Sequence, residues 1–239
     1  MKKTIKITWI SVVLVLMGGI HSCTDLDETV YDTIPADQFG QKPAEINAII
    51  APIYKTLKNL WPGNFFLLSE QTGDMAITPT RVGGDWWDGG IHMDLKLHTW
   101  EARNGLINDS WNAAMSGITT SNQIYATIEN AEMDLELKER TLAEIRGIRA
   151  FWYYMLIDYF GNAPLVADYT STDLPTMSSR QQLYDFVVSE LNEIKDLLRD
   201  DVTSESYGKF TQGAAYTLLA KIYLNAERSE EHTFELQSP

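Results

Sequence analysis

One cysteine occurs in 239 residues. That excludes an internal disulfide framework and any metal site built from several thiolates. Basic residues are also scarce: Lys+Arg total 19 against 33 Asp+Glu, for a formal net charge of -14. No cluster of Lys or Arg lies beyond residue 6. A nucleic-acid partner is therefore excluded, because nothing is present to neutralise a phosphate backbone. The four histidines, His21, His92, His98 and His232, are scattered and form no His-Glu-x-x-His pattern. The glycines form no phosphate loop, because no Lys-Ser/Thr follows them. No convincing run of alternating strands is visible, although Val82–Trp100 has room for a short hairpin. No cofactor is implied. Asp-rich turns leave calcium open, but there is no EF-hand loop.

What is present begins with a targeting pattern. Lys2, Lys3 and Lys6 precede the apolar stretch Thr8–Ile20, 13 residues long. A bilayer span needs roughly 20 residues, so this stretch has the size of a secretory signal core. Cys23 follows at once in Ile20-His21-Ser22-Cys23, which resembles a bacterial lipobox with Cys23 as the acylated first residue. Removal of residues 1–22 takes away three lysines and no acid, leaving a net charge near -17. Two or three acyl chains would tether such a body firmly to a membrane. Thr24-Asp25-Leu26-Asp27-Glu28 resembles the surface-export signal of Bacteroidetes lipoproteins. At the other end, Arg228–Pro239 (RSEEHTFELQSP) leaves the preceding apolar pattern and resembles a translated sequencing-library adapter. The organisation expected is a signal peptide at 1–22, a tether at 23–43, a helical domain at 44–227 and a non-native tail at 228–239.

The body of the chain has helical periodicity. Ala44–Trp61 carries Ile46, Ile49, Ile50, Ile53, Tyr54, Leu57 and Leu60 at three- and four-residue spacings, after Pro43 and before Pro62-Gly63. Asn108–Glu132 carries Trp111, Met115, Ile118, Tyr125 and Ile128. Lys138–Phe160 carries Leu142, Ile145, Ile148, Trp152, Leu156 and Tyr159, and stops at Gly161 with Pro164 beyond. Ser178/Ser179 followed by Gln181/Gln182 predicts a capping box opening Gln181–Arg199. Thr211 is placed to cap Gln212–Ala226, whose Leu218, Leu219, Ile222 and Tyr223 face a neighbour. Arg146 and Arg149, one turn apart on an otherwise apolar helix, predict buried structural ion pairs. Five long helices with short connections predict an all-α body of antiparallel pairs. Their tetratricopeptide (TPR)-like logic is degenerate, since the strict 34-residue period is missing.

Several segments resemble SusD/RagB-type outer-membrane nutrient-binding lipoproteins. They are Cys23–Asp27; Ile34-Pro35-Ala36-Asp37-Gln38-Phe39 with Ala51-Pro52-Ile53-Tyr54; Trp111–Met115 with Ile118 and Asn122; Arg146–Gly161 with Pro164-Leu165-Val166; and Gly213–Leu224. The likeness runs from Cys23 to about Glu227. Family members are roughly twice this length, so it covers their N-terminal half. The resemblance implies a SusD-like, TPR-like helical core with long irregular loops and no catalysis. It also implies a lipid anchor on Cys23 at the outer-membrane surface, an oligosaccharide ligand, and a SusC-type TonB-dependent transporter as partner.

Periodicity does not explain Met75–Trp100, which contains Thr78–Gly90 (TPTRVGGDWWDGG). Glycines at 83, 84, 89 and 90 bracket two tryptophans in a loop. Sugar rings present C–H faces that stack on indole and hydroxyls that need polar partners. Trp86, Trp87, Asp85 and Asp88 supply both, and the loop resembles the glycan-contacting loop of starch-type family members. Arg81 and His92 are further candidates, while Trp61 and Trp100 are expected in the core. Asp85 and Asp88 also suit turn or calcium roles, or a glycosidase pair, which the resemblance opposes. The competing reading is a RagB-type peptide binder, or a generic helical interaction module, in which the tryptophans only pack.

Overall fold

The computed structural model describes residues 43–58, 64–167 and 174–235. The signal and lipobox segments and residues 23–42 of the tether lie outside these residues, as does Trp61. The elements run α1 (Pro43–Leu57), α2 (Asn64–Thr72), a one-turn 3-10 helix (Asp88–Gly90), α3 (Ile91–Leu97), α4 (Gly105–Glu129), α5 (Leu135–Phe160), α6 (Arg180–Ile194) and α7 (Gln212–Glu235). A two-residue antiparallel ladder pairs β1 (Ala163–Pro164) with β2 (Met177–Ser178), in register Ala163↔Ser178 and Pro164↔Met177. The expected all-α body is thus present. The hairpin expected over Val82–Trp100 is not: turns lead there into the 3-10 helix and α3. Two left-handed caps, Gly90 and His98, bound that short helix. The last helix continues to Glu235, past the break expected after Glu227. Among the described residues no helix is long and apolar enough to cross a membrane.

Each long helix buries the stripe that its sequence carries. Ile46, Ile50 and Ile53 of α1 are buried, as are Leu183, Val187, Leu191 and Ile194 of α6 and Ala215, Leu218, Leu219 and Ile222 of α7. Each large aliphatic side chain sequestered in this way contributes about 1.5–3 kcal/mol. Helix α5 is the hub, packing on α4, α6, α7 and α1. Gly117 permits the close approach of α4 and α5, since a Cβ there would stand 2.2 Å from Nε1 of the fully buried Trp152. On α7, Tyr216 and Leu224 are exposed, and Tyr223, expected to face a neighbour, is 47% exposed and meets the Tyr184 ring of α6 at the rim of the packed face.

The helix ends are fixed locally. Ser179 and Gln182 form the predicted capping box at the start of α6. Asp134 accepts from Leu137 N (2.9 Å) at the start of α5. Asn104 accepts from Leu106 N (3.0 Å) at the start of α4 and donates its amide to Ile91 O (3.1 Å), tying α4 to α3.

The predicted ion pairs are buried between α5 and α6. Glu190 receives Arg146 Nη2 (2.7 Å) and Arg149 Nη2 (2.7 Å) on its two carboxylate oxygens. Burial works against the Arg146 charge, yet hydrogen bonds to Glu190 and Glu193 outweigh it and hold its pKa above the ordinary arginine value. Arg149 also donates to Asn122 Oδ1 (2.9 Å), and Asn122 donates to Val166 O (2.7 Å). The Tyr153 hydroxyl donates to Val166 O (3.0 Å) and accepts from Val166 N (2.7 Å), while burial pushes its pKa up to about 12.

Candidate functional site

Helices α2 and α3, neither expected from periodicity, carry the tryptophan loop. Both are short, and each shows too few apolar turns to make a stripe: Phe65 and Leu68 on α2, Leu95 on α3. The two helices pack on one another, and α2 packs on α4. The Tyr159 hydroxyl donates to Phe65 O (3.2 Å), with the two rings edge to face, so the support is joined to α5.

The loop is a run of tight turns. Arg81 N donates to Asp85 O (2.9 Å), Gly84 N to Arg81 O (3.0 Å), Trp87 N to Gly84 O (3.2 Å) and Gly90 N to Trp87 O (2.6 Å). Six of the eight residues from 83 to 90 have positive φ: Gly83, Gly84, Trp86, Asp88, Gly89 and Gly90. Two of them, Trp86 (φ 65°) and Asp88 (φ 42°), carry side chains. Such a conformation costs a residue with a Cβ about 1–3 kcal/mol and persists only where surrounding contacts impose it. Gly90 (φ 88°) suits its left-handed backbone, and the Trp87 ring lies over it, 3.4 Å from where a Cβ would stand.

These turns leave both indoles half in solvent, with Trp86 50% and Trp87 55% exposed. Asp85, Asp88 and Arg81 are exposed beside them. His92 is different: it is 6% exposed and its ring stands edge-on to Trp86, with centroids 6.2 Å apart. His92 Nε2 lies 3.4 Å from Asp88 Oδ2, and Nδ1 faces the amide of Gln71, itself 1% exposed. Gln71 Nε2 also donates to Thr78 Oγ1 (2.7 Å). Sequence reasoning passed over Gln71. Its position three residues after Leu68, on a helix too short to show a period, left no signal.

A cleft of about 690 Å³ opens at the other end of α3, lined by Leu68, Thr72, Leu95, Trp100, Asp158 and Tyr159 among others. Trp100, expected in the core, is 42% exposed at its edge. The correction has a local cause. His98 ends α3 in a left-handed conformation (φ 56°) and bonds through Nε2 to Thr72 O (3.0 Å), and the Trp100 ring stands against the His98 ring instead of entering the bundle.

Asp85, Asp88 and Arg81 leave the site acidic and open to solvent. At the surface, Lys96 of α3 pairs with the exposed Asp74, whose carboxyl that hydrogen bond holds below the usual range. Among the described residues no three His, Cys, Asp or Glu side chains gather as a metal site.

A protein-family profile described as starch-binding, associating with outer membrane, matches residues 26–224. The chain is 27% identical over 228 residues to SusD-like protein P2 of Formosa agariphila, covering 93% of this chain and 43% of that protein. It is 37% identical over 87 residues to the starch-binding protein SusD of Bacteroides thetaiotaomicron, covering 36% of this chain and 15% of that protein. A solved laminarin-binding SusD-like protein superposes with a TM-score of 0.68 at 20% identity, over 80% of this chain and 41% of that one. The chain therefore spans less than half the length of these relatives. With the profile matching most of its length over a helical body of this topology, the chain belongs to the SusD-like family.

Proposed function

We propose that this chain is part of a non-catalytic cell-surface lipoprotein that binds oligosaccharides through the 81–88 loop and passes them to a SusC-type TonB-dependent transporter. The observation that carries the reading is the display of Trp86 and Trp87. Two large apolar rings stay half in water, and the backbone of one, Trp86, is held in the left-handed region. A packing role would bury them, as it buries Trp152. Stacking on pyranose C–H faces uses the rings, and hydroxyl hydrogen bonds use the flanking Asp85, Asp88 and Arg81. His92 supports this surface from beneath. The lipobox at Cys23 supports anchoring at the outer membrane, and family membership supports the transporter as partner.

Affinity electrophoresis through gels containing soluble starch or laminarin tests the ligand. Retardation of the wild-type chain that Trp86→Ala/Trp87→Ala abolishes is the expected result. Migration of the wild type unaffected by these and other polysaccharides would count against carbohydrate binding.

A further inference from the structure

We propose that His92 and Gln71 act together as a buried clamp that positions the tryptophan loop, making both positioning residues for the ligand rather than contacts with it. The proposal rests on the reading of that loop as the glycan platform. Gln71 and His92 are polar side chains almost without solvent exposure, at 1% and 6%. Buried polar groups are costly unless partnered, and here the partners lie at opposite ends of one loop. Gln71 Nε2 donates to Thr78 Oγ1 (2.7 Å), where the loop leaves α2, and lies 3.0 Å from His92 Nδ1. His92 Nε2 stands 3.4 Å from Asp88 Oδ2, where the loop re-enters helix.

The donors and acceptors are consistent along the chain. His92 Nδ1 lies within reach of both the nitrogen (3.0 Å) and the oxygen (3.1 Å) of the Gln71 amide, so the pair is hydrogen-bonded in either imidazole tautomer, while Nε2 faces the Asp88 carboxylate. The clamp thus closes residues 78–88 into a ring through side chains from α2 and α3, and the His92 ring sets a wall against Trp86. It holds Trp86 and Asp88 in their positive-φ conformations, since the glycines around them would otherwise let the loop relax. A loop held in its binding conformation before ligand arrives loses less entropy on binding.

The test uses the full chain labelled with fluorotryptophan, the Trp86 and Trp87 signals being assigned with Trp86→Phe and Trp87→Phe. In His92→Ala the fluorine signals of both residues should shift or broaden without ligand. Affinity for whichever of soluble starch or laminarin retards the wild type should fall about tenfold. Gln71→Met, close in volume but without the amide, should do the same, which keeps the test available if His92→Ala folds poorly. His92→Asn, which keeps an acceptor toward Gln71, should recover part of the affinity. Unchanged fluorine signals in His92→Ala or Gln71→Met would overturn the clamp, whether or not affinity falls. If neither polysaccharide binds, the unliganded fluorine spectra still decide the clamp, and only the ligand assignment fails.

Discussion

The α5–α6 interface and the 78–90 loop treat their aromatic and charged side chains in opposite ways. Between the helices, Arg146, Arg149 and Glu190 are largely sequestered and joined to one another, and Tyr153 is fully buried against Phe186. In the loop, Asp85, Arg81 and two indoles face solvent, while two buried polar side chains, Gln71 and His92, meet each other and the side chains of Thr78 and Asp88. A helical interface tolerates charge only when every charge is matched, because desolvation is costly. A binding loop needs the reverse: exposed groups unmatched within the chain, and an interior that keeps them from collapsing. The difference separates residues that hold the fold from residues that the fold displays.

That separation can be broken most severely at Glu190. Glu190→Ala leaves two arginines without their shared carboxylate and should cost about 3–5 kcal/mol in denaturant unfolding. The loop should keep its glycan affinity in the folded fraction. Next comes Trp86→Ala/Trp87→Ala, which should weaken polysaccharide binding by at least about 100-fold, near 2.7 kcal/mol. Thermal unfolding of that variant should stay within about 2 °C of wild type, since the rings are half-exposed. A large drop in melting temperature would instead assign the tryptophans to packing. A smaller stability effect is expected at the α4–α5 approach: Gly117→Ala drives a methyl into Trp152 and should cost about 1–3 kcal/mol.

The smallest effect sharpens the comparison inside the core. Glu144 is buried and accepts a hydrogen bond from the Tyr54 hydroxyl, which in turn accepts from Phe210 N (2.8 Å). Burial raises the Glu144 pKa above the ordinary glutamate value, against the opposing Tyr54 hydrogen bond and the charges of Lys209 and Arg199. Folding therefore favours the protonated form, and the charged form costs stability once the pH exceeds the folded pKa. Glu144→Gln should raise the melting temperature at neutral pH by on the order of 2 °C. That gain should fade as the pH falls below the unperturbed range near about 4.3. A gain that persists at low pH would show that burial of the charge is not its source.

The sequence was most legible where one element repeats one requirement. The stripes of α1, α4, α5, α6 and α7 span several turns, so each buried position reinforced the others. The Ser179–Gln182 box was readable because a cap needs only a local pair. The Arg146/Arg149 pairs were readable as charges on an apolar face, but Glu190 as their partner was not, being 44 and 41 residues away. The tryptophan loop showed itself by its composition. Its supports did not: α2 and α3 are too short to display a period, so α2 went unread and Met75–Trp100 looked like loop or hairpin.

By itself, then, the amino-acid order determined the helical class, the caps, and the presence of an aromatic, acidic, glycine-bracketed loop. These depend on contacts within a turn or a few turns of helix, where spacing along the chain is spacing in space. Only the tertiary structure decided which aromatics are displayed and which are buried, that His92 lies beneath the loop, and that Gln71 meets it there. Those outcomes depend on where α2 and α3 pack, and that is set by long-range burial against α4 and α5 rather than by any local preference.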